Sequence, residues 1–152
     1  MSPTVVLIDD DCAVLASLEA LFATADYRVR TFESAGDFLE ALDTIPFACV
    51  VTDLRMPNMD GLALIKRLKN GLRPDWPVVV ISGHADAAIA SELTRAGALD
   101  CLVKPFSPAT LLDVVGRATR MGGKPATNDV FEADSAPNGP VADVGRPARK
   151  AP

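Results

Sequence analysis

The sequence predicts an α/β fold in which a parallel sheet is covered by helices on both faces. Five short apolar runs alternate with stretches in which apolar residues recur at helical spacing, in the order βαβαβαβαβα. Runs that are apolar at consecutive positions are typical of strands buried on both faces, and parallel strands need helical crossovers between them. The 152 residues suffice for one such domain with some excess.

The five predicted strands are short apolar runs rich in β-branched residues, as strands commonly are. In chain order they span residues 4–8, 27–32, 47–52, 77–81 and 99–103. Cys49 lies inside the third run and is expected to be a small core residue. The fifth run breaks at Lys104-Pro105.

The five predicted helices follow these strands one by one. The first covers residues 12–25, and the fourth covers residues 85–96 and ends at Gly97, a typical helix terminator. In the other three, the predicted buried faces consist of Phe38, Leu39 and Leu42, then Leu62, Leu64, Ile65 and Leu68, and finally Leu111, Leu112, Val115 and Ala118.

Local signals mark where several helices begin. Asp11 is placed to cap the first helix, and we interpret it as a cap rather than a ligand. Ser34 stands three residues before Asp37, a pattern typical of helix N-termini. Ser107 caps the last helix, with Pro108 at its first position. Asp60-Gly61 closes a turn-rich loop, and we interpret it as a turn and the start of the third helix rather than as a ligand.

The charge of the chain argues against a direct nucleic-acid interface. Residues 1–120 contain 16 acidic and 11 basic residues, which gives a net charge of −5, and no dense basic patch is present. No apolar run approaches the length of a membrane span, and Met1-Ser2-Pro3 lacks the basic start of a signal peptide. A cytoplasmic protein without a membrane partner is expected.

The C-terminal part differs from the rest in composition. After Arg120 the sequence is rich in Pro and Gly, and it has a single aromatic residue, Phe131, with no sustained helical or strand period. We therefore expect a domain at residues 1–120 and a flexible tail at 121–152. The alternative is a linker to a domain outside this chain.

Polar residues follow four of the five predicted strands. Asp9 and Asp10 follow the first, Asp53 the third, Ser82 the fourth and Lys104 the fifth. Ligands of open parallel sheets bind beyond the carboxyl ends of the strands, and these groups converge there if the first strand lies between the second and third. Three adjacent carboxylates repel one another, and a hard cation such as Mg²⁺ relieves that repulsion. A carboxylate can then attack a phosphoryl group as a nucleophile.

Four segments at these positions resemble the signature segments of response regulator receiver domains. They are Leu-Ile-Asp-Asp-Asp at 7–11, Thr-Asp-Leu-Arg-Met-Pro-Asn-Met-Asp-Gly at 52–61, Ile-Ser-Gly-His at 81–84 and Val-Lys-Pro-Phe at 103–106. The amino-acid sequence of these segments is most similar to that of FixJ-like receivers. The resemblance implies a flavodoxin-like (βα)5 three-layer sandwich with strand order 2-1-3-4-5.

The resemblance also implies roles for the carboxylates. Asp53 accepts phosphate from a histidine kinase or a phosphotransfer protein. Asp10 and Asp53 bind Mg²⁺ directly, together with the backbone carbonyl of Arg55, and Asp9 helps through a water. Such a protein is a signalling switch that takes part in its own phosphotransfer and slow dephosphorylation, and not a conventional enzyme.

Further roles fall to residues after the fourth and fifth strands. By the resemblance, Ser82 and Gly83 bind the phosphoryl group and shift on activation, Lys104 pairs with the phosphate, and its peptide bond to Pro105 is cis. Receivers often carry an aromatic switch residue at the position of Cys101, and a cysteine is smaller. We therefore expect switching through backbone motion after the fourth strand.

Arg55 and His84 each lie two residues after a site residue. In receivers these positions line the entrance to the phosphoryl group, so both are expected to affect its lifetime. A solvated loop residue is the simpler interpretation of His84. A phosphatase of the haloacid-dehalogenase type, which also uses an aspartate after a strand, is disfavoured because it needs a second acid where Arg55 stands.

The output is expected to be protein contact through the fourth helix, fifth strand and fifth helix, including a homodimer through that face. No recognisable output domain follows Arg120, since the tail lacks the periodicity of a helix-turn-helix. The alternative is the receiver half of a DNA-binding transcriptional regulator whose effector domain is absent.

Overall fold

The structure, a computed structural model, describes residues 2–83 and 87–122. Ten main elements alternate along the chain: β1 (Thr4–Ile8), α1 (Cys12–Thr24), β2 (Arg28–Phe32), α2 (Ala35–Ala41), β3 (Ala48–Asp53), α3 (Gly61–Arg67), β4 (Val78–Ser82), α4 (Ala87–Ala96), β5 (Asp100–Val103) and α5 (Pro108–Gly122). All strand pairs are parallel, and the order is β2-β1-β3-β4-β5. The predicted α/β fold and strand order are confirmed.

The sheet separates two apolar layers. Val50 of β3 faces the layer under α2, α3 and α4, and its neighbour Val51 faces the layer under α1 and α5. The largest fully buried side chains, Phe22 and Phe38, lie in different layers. This alternation explains why the central strands are apolar at consecutive positions. Cys49 is fully buried in β3, as predicted.

The predicted helix starts are confirmed by hydrogen bonds. In each case a side-chain oxygen accepts a backbone N–H in the first turn, which satisfies a donor that has no partner inside the helix. Asp11 accepts from the Ala13 N–H at 2.9 Å and Ser34 from the Asp37 N–H at 3.0 Å. Asp60 accepts from the Ala63 N–H at 2.9 Å and Ser107 from the Thr110 N–H at 3.1 Å.

Two helices continue further than their apolar spacing indicates. A 3₁₀ turn, Leu42–Thr44, follows α2, and a π-helical turn, Leu68–Leu72, follows α3. Gly71 takes a φ of 156° in the second turn, a positive value that residues with a side chain rarely adopt. In α5, Val114 is buried although sequence spacing did not single it out, while Leu112 is only half-buried.

Some expectations concern residues that the structure does not describe. They are His84, the first two residues of the predicted fourth helix, and the predicted tail from residue 123 onward. Helix α5 reaches Gly122, two residues past the expected domain end. Gly97 has a φ of +116° and directly follows α4, in agreement with its predicted role as terminator.

Candidate functional site

Three carboxylates meet at the carboxyl edge of the sheet. Ile8 pairs with Thr52 in the β1–β3 register, so Asp9 and Asp53 leave adjacent strands at the same level. Asp9, Asp10 and Asp53 each place an oxygen within 4.8 Å of the other two. The convergence expected from strand order is therefore present.

The environments of the three carboxylates differ. Asp9 is 4% exposed, Asp53 is half-buried and Asp10 is exposed. Burial raises the pKa of Asp9 to about 6 and the charge of Asp53 adds to the effect, while a 2.9 Å hydrogen bond from the Asp11 N–H opposes it. Burial also raises the pKa of Asp53, and the charge of Lys104 opposes that shift. Full ionisation of the three carboxylates is therefore electrostatically unfavourable.

This donor set fits a hard divalent cation. Mg²⁺ takes oxygen ligands at about 2.0–2.1 Å, so oxygens on opposite sides of one ion lie about 4.2 Å apart. Oxygens that lie within 4.8 Å of one another need only a small adjustment, or one bridging water, to share an ion. Asp9, Asp10 and Asp53 could hold it. The part of the Arg55 carbonyl in such a site stays a prediction.

Ser82 and Lys104 lie next to the acidic cluster. Ser82 is 3% exposed at the end of β4, and its carbonyl accepts the Lys104 N–H at 2.8 Å. The charge of Lys104 lowers the pKa of both Asp9 and Asp53, so its ammonium group acts on the cluster. The bond between Lys104 and Pro105 is cis. Gly83 is exposed immediately after Ser82.

Gly61 is a site residue whose constraint sequence reasoning missed. Interpreting 60–61 as a helix start is correct, but Gly61 also packs on the end of β3. A Cβ at this position would lie 2.8 Å from the Asp53 carbonyl oxygen and 3.1 Å from the Leu54 Cα, closer than real side chains come. A glycine inside a helix start, where almost any residue would serve, is the signal that could have revealed this contact.

The loop between Leu54 and Gly61 is closed by backbone hydrogen bonds. The Gly61 N–H donates to the Leu54 carbonyl at 2.8 Å, and the Leu54 N–H donates to the Ile81 carbonyl at 2.9 Å. The buried Thr52 hydroxyl donates to the Asp53 carbonyl at 3.0 Å. The backbone around Asp53 is therefore fixed from three directions. Arg55, inside the loop, is exposed.

A thiol–carboxylate contact, which sequence reasoning did not predict, lies where the chain leaves β1 and β2. Cys12 Sγ donates to Glu33 Oε2 at 3.1 Å, and both residues are exposed. This hydrogen bond and the carboxylate charge raise the pKa of the Cys12 thiol. A raised pKa lowers the thiolate fraction, so Cys12 is not an activated nucleophile.

Three apolar residues at alternate positions lie along β5 and just before it. Cys101 is half-buried and packs against the layer under α4. Leu99 and Val103, two positions to either side, are 41% and 39% exposed. We call these three residues the β5 face. Among the described helices, none is long and apolar enough to cross a membrane.

Comparisons with known proteins agree with this geometry. The family described as "Response regulator receiver domain" matches residues 5–116. The transcriptional regulatory protein FixJ of Bradyrhizobium diazoefficiens is 38% identical over 130 residues, which cover 86% of this chain and 63% of that protein. The response regulator protein TmoT of Ectopseudomonas mendocina is 35% identical over 122 residues, which cover 80% and 55%. The chain thus spans between half and two thirds of these relatives.

Solved structures give the same result. Full-length FixJ from B. japonicum superimposes with a TM-score of 0.76 at 38% identity, covering 83% of this chain and 62% of that one. The beryllofluoride-activated NtrC4 receiver domain dimer gives 0.73 at 28% identity, covering 78% and 98%. With the family match over most of its length and with this fold, the chain belongs to the response regulator receiver domain family of two-component systems.

Proposed function

We propose that this protein is a phosphorylation-dependent switch of a cytoplasmic two-component system or phosphorelay. Asp53 accepts a phosphoryl group from a histidine kinase or a phosphotransfer protein in a Mg²⁺-dependent reaction. The observation that carries the proposal is the meeting of the Asp9, Asp10 and Asp53 oxygens within 4.8 Å, with the charge of Lys104 acting on them. Family membership supports the same chemistry.

In the transfer step, an Asp53 carboxylate oxygen forms a bond to phosphorus as the bond from phosphorus to the donor nitrogen breaks. The Lys104 ammonium group stabilises the charge on the phosphoryl oxygens, and the Ser82 hydroxyl donates to one of them. Bound Mg²⁺ would supply further positive charge at those oxygens. Asp9, Asp10 and Asp53 would hold the cation, and the fixed backbone at Asp53 keeps the attacking oxygen in line.

The output in this proposal is protein contact through the surface formed by α4, β5 and α5. The activated NtrC4 receiver is described as a dimer, and a homodimer through this surface is the corresponding proposal here. The exposed apolar residues Leu99 and Val103 support contact at β5. The net charge of −5 disfavours direct nucleic-acid binding.

Phosphate transfer from candidate histidine kinases tests the proposal. We expect labelled phosphate to appear on the protein with a stoichiometry of at most one per chain, and to disappear completely in Asp53→Asn. Asp75→Asn is the control, because Asp75 is an exposed carboxylate just before β4, at the opposite end of the sheet. Labelling that persists in Asp53→Asn would contradict the switch.

A second candidate function is the receiver half of a DNA-binding regulator. It is favoured by the FixJ relative, a transcriptional regulatory protein of which this chain covers 63%. A gel-shift experiment at low salt separates the two. No specific DNA binding is expected from the present chain, whereas a sequence-specific shift would place DNA recognition within residues 1–152.

A further inference from the structure

A cleft at the end of the sheet opposite Asp53 takes no part in the proposed function. It encloses about 460 Å³ between the α1–β2 turn and the last turns of α5. Its lining consists of Ser2, Pro3, Ala25, Asp26, Tyr27, Gly116, Thr119 and Arg120. The cleft therefore lies beside the point where the chain leaves α5.

Gly116 of α5 lies in the lining of this cleft. A side chain here would make only ordinary van der Waals contacts, so the glycine leaves some additional room beside its neighbours. A Cβ here would lie 3.4 Å from Arg120 Nη1 and 3.8 Å from the Tyr27 hydroxyl. The guanidinium of Arg120 thus lies over Gly116 and close to Tyr27.

Two polar groups of the cleft have no partner among the described residues. In the part of the chain that the structure describes, Arg120 forms no ion pair and the Tyr27 hydroxyl forms no hydrogen bond. The Tyr27 ring is held edge-on to Phe22, with centroids 5.3 Å apart. A fixed aromatic wall, a hydroxyl and a guanidinium suit an occupant with an aromatic ring beside a carboxylate. Asp26, also in the lining, repels carboxylates at its end.

The chain itself supplies such an occupant. After Gly122 it continues to residue 152, and its single aromatic residue in that part is Phe131, flanked by Asp129, Glu132 and Asp134. From Gly122 to Phe131 the backbone can span up to about 30 Å, whereas Gly116 lies only about 9 Å back along α5. Gly122-Gly123 gives the backbone the freedom to reverse direction.

We propose that residues 129–134 dock into this cleft of the same molecule, with Phe131 against Tyr27 and Glu132 paired with Arg120. A short tether gives an effective concentration in the millimolar range, so even a contact with a millimolar dissociation constant would be substantially occupied. The charges set the orientation, because Asp26 repels the acidic residues that Arg120 attracts. The docking is independent of Asp53, which lies at the other end of the sheet.

Backbone amide spectra of the full chain test this docking. Phe131→Ala should shift the amide signals of Asp26 and Tyr27, which are about a hundred residues away in sequence. The control Val141→Ala should leave both signals in place. Arg120→Glu should reproduce the Phe131→Ala shifts at Asp26, and adding Glu132→Arg should restore the original position. Signals of Asp26 and Tyr27 that do not respond to Phe131→Ala would overturn the proposal.

Dilution distinguishes this docking from an exchange between molecules. The Asp26 and Tyr27 signals should stay unchanged over a tenfold dilution, since the contact is intramolecular. Signals that move toward the Phe131→Ala positions on dilution would show that the segment binds a second copy, and would overturn the intramolecular assignment.

Discussion

The acidic cluster and the β5 face belong to the same sheet but are built in different ways. At the cluster, Asp9 is almost fully buried and the backbone of Asp53 is held by Thr52 and Gly61. At the β5 face, a small cysteine stands between two exposed apolar residues on an edge strand. The proposed phosphotransfer uses groups that packing and hydrogen bonds fix in place, whereas the proposed output surface consists of partly exposed side chains.

Gly61→Ala should have the largest effect on stability, because it disturbs the tightly packed backbone beside the acidic cluster. Its Cβ would collide with backbone atoms of Asp53 and Leu54, which cannot rotate away. We expect a loss of about 2–4 kcal/mol in the free energy of unfolding, measured by urea denaturation, together with slower phosphorylation. Gly36→Ala is the matched control, since its Cβ meets only Ser34 Oγ at 3.9 Å. That variant should be neutral or slightly stabilising. Equal stability of the two variants would contradict the contact.

Asp9→Asn should reveal the repulsion inside the cluster. The folded-state pKa of Asp9 is about 6, above its ordinary value of 3.8, so between these pH values the folded chain retains a proton that the unfolded chain has lost. Without divalent cations, the Asp9 contribution to stability therefore falls as pH rises from about 4 to 6 and stays low above that.

At pH 7.5 in a chelator, Asp9→Asn should be more stable than the parent by about 1–2 kcal/mol. It should also lose much of the stabilisation that Mg²⁺ gives the parent. Asp11→Asn is the control, because asparagine caps a helix as well as aspartate does. Urea unfolding at pH 5.0 and 7.5, with and without Mg²⁺, measures both effects. A parent whose stability is the same at both pH values, and an Asp9→Asn variant equal to it, would refute the repulsion.

Arg55→Ala should change the lifetime of the phosphorylated state without changing the fold. Arg55 is exposed in the loop that follows Asp53, where a long side chain can obstruct an approaching water. We expect dephosphorylation to accelerate severalfold, which corresponds to about 1 kcal/mol in activation free energy. The decay of labelled protein after donor removal measures it, with Arg67→Ala on α3 as the control. Equal decay in parent and Arg55→Ala would eliminate this role.

Cys101→Ala should have the smallest effect, and it tests the β5 face. If switching proceeds through the backbone after β4, beryllofluoride should shift the amide signals of residues 82–106 in both the parent and this variant. The Lys104 N–H bond to the Ser82 carbonyl provides a backbone connection from β4 to β5. Loss of these shifts in Cys101→Ala would assign the switch to the cysteine side chain. Their absence in the parent would rule out switching in this region.

The sequence predicted the strands well because most of them are nearly continuous apolar runs. Each of β2, β3, β4 and β5 begins one residue later than expected, and β3 and β4 also end one residue later. Helix starts were equally accessible, since Asp11, Ser34 and Ser107 form their capping bonds within three residues along the chain. The 3₁₀ and π-helical turns after α2 and α3 were not predicted, because apolar spacing does not encode them.

The site was predictable as a set of residues but not in its physical detail. Strand order alone brings Asp9, Asp10 and Asp53 together. That Asp9 is the buried member, and that Gly61 touches the backbone of Asp53, depends on packing between segments distant in sequence. The contact between Cys12 and Glu33 spans 21 residues and left no local signal. The cation ligands and the phosphoryl-binding roles of Ser82, Gly83 and His84 stay predictions.

The closed loop between Leu54 and Gly61 has a consequence for protein engineering. Its two ends are joined by one backbone hydrogen bond, and the near end is bonded to β4, so the six residues between them form a cassette of fixed span. Loops of equal length from other receivers could be exchanged here while the glycine and both anchoring bonds are kept. Such grafts would offer a way to adjust the lifetime of the phosphorylated state without redesigning the rest of the domain.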